Sequence, residues 1–175
     1  DSVTQYELWK AIWSSIKDRN FFELDWSLQR HNGFLRQFRP NTFVGNHDVT
    51  RIASQIGPDL VPVALAVLLT VGGIPSIYYG DERGLTGVKE QRVGGDDAVR
   101  PAYPDSPADL PRPDIWHVHA DLIALRRAHP WLGGASSESL ELTNTRYRYR
   151  VSDGDRFLDV ELELAVEPSA LTVPA

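Results

Sequence analysis

The residues best suited to chemistry follow a short apolar run of the chain. Asn46, His47 and Asp48 follow the β-prone residues 42–44, separated from them by Gly45. Polar side chains at the end of an apolar strand in an α/β protein point into the ligand crevice. There Asp48 could accept hydrogen bonds from sugar hydroxyls and stabilise a developing cation, and His47 could donate to another hydroxyl. The alternative is structural, with Asp48 capping the next helix and His47 serving as a structural histidine whose hydrogen bonds are satisfied.

Two further groups of residues lie downstream. The run Gly73 to Glu82 carries two tyrosines, of which Tyr79 could stack on a sugar ring, although core tyrosines are the alternative. Asp96 and Arg100 stand four apart in an aperiodic stretch from Asp81 to Pro113, where they could grip one ligand from two sides. A solvated ion pair is the alternative for these two. A loop of this length is usually either functional or disordered.

Composition excludes several classes of function. The 175-residue chain is 42% hydrophobic and 24% charged, with a formal net charge of −6. This is the composition of a globular protein, and it lacks the basic surface that nucleic-acid binding requires. The longest apolar run falls short of the roughly 20 residues that cross a bilayer. The absence of cysteine excludes disulfides and thiolate chemistry, and it suits either redox compartment; the cytoplasm is favoured over secretion.

The order of predicted elements is that of a parallel α/β sheet followed by a β module. A strand is predicted at 1–8, then helices with apolar spacing from Leu8 and from Leu24, and a strand at 42–44. A buried helix follows, with Asp59 as its N-cap and Pro62 in its first turn, and then a strand at 77–79. After a helix beginning at Asp114, the residues from Ser137 onward alternate in polarity as antiparallel strands do.

Two motifs carry a resemblance to a known family. Residues 43–48, FVGNHD, resemble the F-x-x-N-H-D motif at the end of barrel strand seven in the α-amylase superfamily, glycoside hydrolase family 13. Residues 73–82, GIPSIYYGDE, resemble the G-x-P-x-I-Y-Y-G-x-E motif of barrel strand eight. Asp96 and Arg100 are similar to the Asp and Arg, four apart, that hold an outer sugar in many members. The similarity extends over the whole chain, because a small antiparallel domain follows the barrel in this family.

The resemblance implies a fold and a set of roles. The expected fold is α/β, namely the last three βα units of a (β/α)8 barrel at 1–132, followed by a small antiparallel β domain at 133–175 that need not be complete. Asp48 would be the carboxylate that stabilises the transition state, without attacking the substrate. The expected sugar-binding residues are His47, Asn46, Asp96, Arg100 and Tyr79. No cofactor is expected, and no metal, because no cluster here has the D-x-D-x-D spacing of a calcium loop.

The chain by itself does not carry the whole reaction. A retaining glycosidase needs a nucleophile and an acid/base carboxyl group about 5 to 5.5 Å apart. The family's strand-four and strand-five motifs are absent here, and Glu23 and Asp25 have the wrong spacing to share one helix face. A complete barrel takes about 250 residues. We therefore expect a fragment, inactive in isolation, of an enzyme that hydrolyses or transfers α-glucosidic bonds.

The expected partners are an α-glucan or maltooligosaccharide substrate, and either the missing N-terminal part of the barrel or a second copy of the chain. Neither nucleic acid nor a membrane is expected. Two other interpretations stay open. One is a carbohydrate-binding or structural barrel fragment that has lost catalysis, and the other is an unrelated α/β domain in which both motifs arose by chance.

Overall fold

The computed structural model describes residues 2–106 and 112–164. Its helices are α1 (Tyr6–Lys17), α2 (Phe22–Leu35), α3 (Ile52–Ile56), α4 (Val61–Thr70) and α5 (Pro113–Ala128). Its strands are β1 (Asn41–Phe43), β2 (Ile74–Ser76), β3 (Ser136–Leu142), β4 (Arg146–Asp153) and β5 (Arg156–Glu163). The predicted β residues 165–175 lie outside the described part of the chain.

The first half is built on short parallel strands. β1 pairs in parallel with β2, and Thr4 forms a parallel bridge to Asn41 on the other side of β1. Parallel strands need a crossover connection, and α3 with α4 supplies the one between β1 and β2. The parallel arrangement confirms the expectation from the sequence. The first predicted strand is wrong in extent, because among its described residues, 2–8, only Thr4 forms a bridge, and α1 begins at Tyr6.

The second correction concerns the strand that precedes the long loop. It lies at Ile74–Ser76 and includes Pro75, rather than at residues 77–79. The hydroxyl of Tyr78 donates to the carbonyl of Val99, and the carbonyl of Tyr79 accepts from Arg51. These tertiary contacts turn the two tyrosines away from the sheet, against the strand propensity of their sequence.

Helix α4 is the centre of the core. Its residues are apolar on nearly every side, and Val61, Leu65 and Leu68 are fully buried. Pro62 lies in the first turn as predicted, where a missing N–H costs no helix bond. Asp59 is not its N-cap; its carboxylate instead pairs with Arg112 at 2.8 Å.

The antiparallel module is β3, β4 and β5 in that order. Along β4, Tyr147, Tyr149 and Val151 point into the core, and the alternating arginines face outward. The module packs directly on the helices: Tyr149 Oη lies 2.8 Å from Thr70 Oγ1 of α4, and Tyr147 Oη donates to the Asp25 carboxylate of α2 at 3.0 Å. Both halves of the described chain therefore share one apolar core.

Candidate functional site

The loop after β1 has a defined local geometry. The amide N–H of Asp48 donates to Asn46 Oδ1 at 2.8 Å, and the side-chain amide of Asn46 donates to the hydroxyl of Tyr6 at 3.1 Å. His47 and Asp48 are both exposed to solvent. Helix α3 begins at Ile52 without a side-chain cap, so the capping alternative for Asp48 does not hold.

Lys89 connects this loop to the long loop after β2. Its Nζ lies 2.5 Å from Oδ1 of Asp48 and 3.1 Å from Oδ1 of Asp96. The hydrogen bond from Lys89 holds the pKa of Asp48 below its ordinary value, and the same contact raises the pKa of Lys89. The Asp48 side chain nevertheless stays 51% exposed. A carboxylate that is both ionised and accessible can accept hydrogen bonds from ligand hydroxyls.

Arg100 closes these contacts into a ring. Its Nη2 lies 2.7 Å from Oδ2 of Asp96, and its Nε donates to the backbone carbonyl of His47 at 2.9 Å. The ion pair between Asp96 and Arg100, which the sequence left as the alternative to a shared ligand, is thus present and partly exposed. It also ties the long loop to the residue beside Asp48.

An open cleft of about 360 Å³ lies next to Asp48. The remaining lining residues combine an indole ring with amide, hydroxyl and ammonium groups: Trp9, Val49, Thr50, Gln55, Lys89 and Gln91. Concave sites with a few convergent polar groups are the usual places for small-molecule binding. The cleft therefore has the size and the hydrogen-bonding groups to receive part of a polyhydroxylated ligand.

A buried ion pair fixes the two strand-end loops relative to each other. Arg51 Nη1 lies 2.9 Å from Oδ1 of Asp81, and their side chains are 0% and 1% exposed. The same guanidinium lies over the rings of Tyr78 and Tyr79 at 4.7 and 5.1 Å. Burial raises the pKa of Asp81 to about 7, and Arg51 opposes that rise. Asp81, which follows the tyrosines in the second motif, is therefore a structural residue.

Glycine is required where Asp81 reaches the loop after β1. A Cβ on Gly45 would lie 2.1 Å from Asp81 Oδ2, a separation that no real side chain adopts. The third residue of the FVGNHD motif therefore leaves room for the buried ion pair. Close approach of this kind is one of the ordinary reasons for glycine in a motif.

Tyr79 is placed at the surface rather than in the core. Its side chain is 38% exposed, and its hydroxyl donates to the carbonyl of Pro101 at 2.7 Å. Its ring lies 4.7 Å from that of Tyr78 and 6.2 Å from that of Tyr103. Tyr79 thus reaches the long loop one residue beyond Arg100, with a ring available to a ligand.

Hydrogen bonds and ion pairs connect five of the six predicted site residues: Asn46, His47, Asp48, Asp96 and Arg100. The sixth, Tyr79, bonds to Pro101, the residue after Arg100. Sequence reasoning missed Lys89 and Arg51, which make two of the connections between these loops. One signal for Lys89 was present in the sequence. The chain has three lysines, at 10, 17 and 89, and Lys89 is the one that lies in the long loop after the motif at residues 73–82.

The two carboxylates near the start of α2 have structural partners. Glu23 pairs with Lys10 and accepts from Ser14, and Asp25 accepts from Tyr147 and Gln29. Within residues 2–106 and 112–164, no group of three or more His, Asp or Glu side chains could hold a metal ion. No helix in this part of the chain has the length and apolar character of a membrane span.

Comparison with known proteins gives the family. The family model described as "Alpha amylase, catalytic domain" matches residues 4–148. Over 109 residues, 62% of this chain, the sequence is 53% identical to a cyclomaltodextrin glucanotransferase of Geobacillus stearothermophilus. It is 41% identical over 91 residues, 51% of this chain, to a maltogenic α-amylase of Bacillus acidopullulyticus. The matched region spans 14% of each relative's length.

The fold agrees with solved structures of the same kind. The crystal structure of an α-amylase from H. orenii superposes with a TM-score of 0.78 at 22% identity, covering 92% of this chain and 38% of that one. This likeness confirms the expected fold, a partial (β/α)8 barrel followed by a small β module. Because the family model matches residues 4–148 and both strand-end motifs are present, the chain belongs to the α-amylase catalytic-domain family.

Proposed function

We propose that this chain is part of a retaining enzyme acting on α-glucosidic bonds, and that Asp48 is its transition-state-stabilising carboxylate. The sugar-binding residues of the proposal are His47, Asn46, Asp96, Arg100 and Tyr79. The observation that carries it is the position of Asp48, ionised, half-exposed and hydrogen-bonded at the mouth of an open cleft.

The chemistry of the site supports this role. The transition state of glycoside hydrolysis resembles an oxocarbenium ion, and hydrogen bonds to a sugar hydroxyl strengthen as it forms. A fixed carboxylate stabilises such developing positive charge. Lys89 donates to Oδ1 of Asp48. The other carboxylate oxygen, Oδ2, can therefore accept a hydrogen bond from a sugar hydroxyl.

The nucleophile and the acid/base would come from outside this chain. Among the described residues, Glu23 and Asp25 already serve as partners for other side chains, and Asp81 is buried against Arg51. By this proposal the isolated chain is inactive. Activity belongs to the complete protein that contains it.

The exposed edge of β2 is where the rest of the barrel would pack. Ile74 is 48% and Ile77 37% exposed. A cleft of about 740 Å³ is lined by Ile77, Trp116 and Ile123. An unpaired strand edge with exposed apolar side chains is unfavourable in water. We propose that the missing N-terminal part of the barrel covers this surface, with a second copy of the chain as the alternative cover. The boundary at residue 132 between barrel and β domain also stays a proposal.

The relatives' names set the substrate class of the proposal. One is a maltogenic α-amylase and another a cyclomaltodextrin glucanotransferase. We propose α-glucans or maltooligosaccharides as substrates, with hydrolysis and transfer both within the chemistry of the site.

The test is to incubate the complete protein with maltoheptaose and to follow the products by proton NMR. We expect cleavage or transfer, with the newly formed product in the α configuration before mutarotation. A β product contradicts the retaining mechanism. Binding of maltoheptaose without any product supports instead the catalytically inactive, carbohydrate-binding interpretation.

A further inference from the structure

The long loop carries a lysine that is held in place from both sides. The amide of Lys89 donates to Thr50 Oγ1 at 3.0 Å, and that of Gly87 donates to Ser54 Oγ at 2.8 Å. The carbonyl of Gly87 in turn accepts from the amide of Arg51 at 3.0 Å. The backbone leading to Lys89 is therefore fastened to the segment that directly follows Asp48.

The residues after Lys89 turn back so that Asp96 meets the same ammonium. The amide of Glu90 donates to the carbonyl of Gly95 at 3.0 Å, which closes the turn. The turn requires glycine at position 95, because a Cβ on Gly95 would lie 2.0 Å from the carbonyl oxygen of Glu90. The turn places Oδ1 of Asp96 3.1 Å from Lys89 Nζ. The other oxygen of Asp96, Oδ2, pairs with Arg100 Nη2 at 2.7 Å.

This arrangement leaves Lys89 partly buried between the two loops. Its side chain is only 24% exposed, and its ammonium lies between two carboxylates from different loops. Because Asp96 and the backbone fix the ammonium, the ammonium in turn restricts the rotation of the Asp48 side chain. A catalytic group must be held close to its productive orientation for its full effect.

We propose that Lys89 is a positioning residue for the reaction, holding the Asp48 carboxylate in the orientation that a bound sugar requires. The inference rests on the proposed function of Asp48. Lys89 contacts one oxygen of that carboxylate and leaves the second for the sugar. The loop after β2 thus sets the geometry of a carboxylate carried by the loop after β1.

The kinetic test compares Lys89→Met with Lys89→Arg in the complete protein, using maltotriose as substrate. Met keeps the apolar stem and removes the charge, whereas Arg keeps the charge. We expect Lys89→Met to lower kcat by about tenfold to 100-fold, with a much smaller change in KM. Lys89→Arg should recover most of the loss. If Lys89→Met does not fold, Lys89→Gln replaces it.

The matched control is Arg92→Met, which removes a cation from the same loop. Arg92 is 64% exposed and pairs with Glu90, away from Asp48. Its kcat should stay at the wild-type value. A wild-type kcat in Lys89→Met, or an equal loss in Arg92→Met, overturns the proposal.

Crystal structures of the wild-type and Lys89→Met proteins give a readout that needs no activity. The Asp48 carboxylate should be ordered against Lys89 in the wild type and should adopt a different or disordered orientation in the variant. An unmoved carboxylate contradicts the inference about Lys89. An inactive wild-type protein contradicts the proposed function alone, since the orientation of Asp48 is still measured.

Discussion

Replacement of Arg51 by Met should destabilise the protein strongly, and more so at alkaline than at acidic pH. Arg51 and Asp81 are completely buried and 2.9 Å apart. Removing one partner of a buried ion pair leaves an uncompensated charge and costs about 3–5 kcal/mol. We expect a loss of that size at about pH 8, where Asp81 lacks both water and its cation.

The pH dependence follows from the pKa of Asp81. Burial raises that pKa to about 7 in the folded protein, and loss of Arg51 removes an influence that lowers it. In the unfolded chain an aspartate titrates near about 4. The folded variant therefore binds a proton that the unfolded variant has lost, and its stability rises as the pH falls through 7 and is greatest below about 4.

The assay is equilibrium denaturation of the complete protein at about pH 5 and about pH 8. Arg51→Met should lose clearly less stability at the lower pH. Asp81→Asn is the matched control, because it removes the titrating carboxyl group and leaves Arg51, whose charge does not titrate in this range. The free energy of unfolding of this variant should therefore lack the rise at low pH that Asp81 gives to Arg51→Met. Replacing both residues with apolar ones of similar volume should recover most of the stability. An equal loss for Arg51→Met at both pH values refutes the reasoning.

Three further predictions concern the supporting contacts. Gly45→Ala should lower the free energy of unfolding by about 1–3 kcal/mol, because its Cβ would strike Asp81. Gly33→Ala in α2, whose Cβ would make only an ordinary contact with Arg36, should be neutral or stabilising by chemical denaturation. Tyr147→Phe should cost about 1–2 kcal/mol in the same assay, since its hydroxyl donates to a carboxylate of α2; no loss means that this bond does not secure the β module. Arg100→Ala should raise KM for maltoheptaose more than for maltotriose in initial-rate measurements, and unchanged KM values remove Arg100 from the site.

Much of the fold could be predicted from local pattern. Helix α4 follows from its continuous apolar run with Pro62 in the first turn, and β4 follows from its alternating residues. The turn between β4 and β5 lies at Gly154 and Asp155, and Gly154 adopts φ +62°, a conformation that glycine favours. These features depend on residues close in the chain, and so they are visible in it.

The remaining features depend on contacts between distant residues. The strand of the second motif begins at Ile74 because tertiary contacts occupy the tyrosines. Lys89 meets Asp48 across 41 positions of sequence, through a loop without periodicity. A sequence pattern locates the strand end that carries Asp48 but not the side chain that restrains it.

The most direct test of the account is the kcat of Asp48→Asn in the complete protein, compared with Asp18→Asn. Asp18 is exposed and follows the far end of α1, about 18 Å along the helix from Tyr6. We expect Asp48→Asn to lower kcat by several orders of magnitude and largely to preserve maltooligosaccharide binding, since the group acts mainly in the transition state. Asp18→Asn should match the wild type. Near-wild-type turnover in Asp48→Asn would contradict the catalytic role of Asp48.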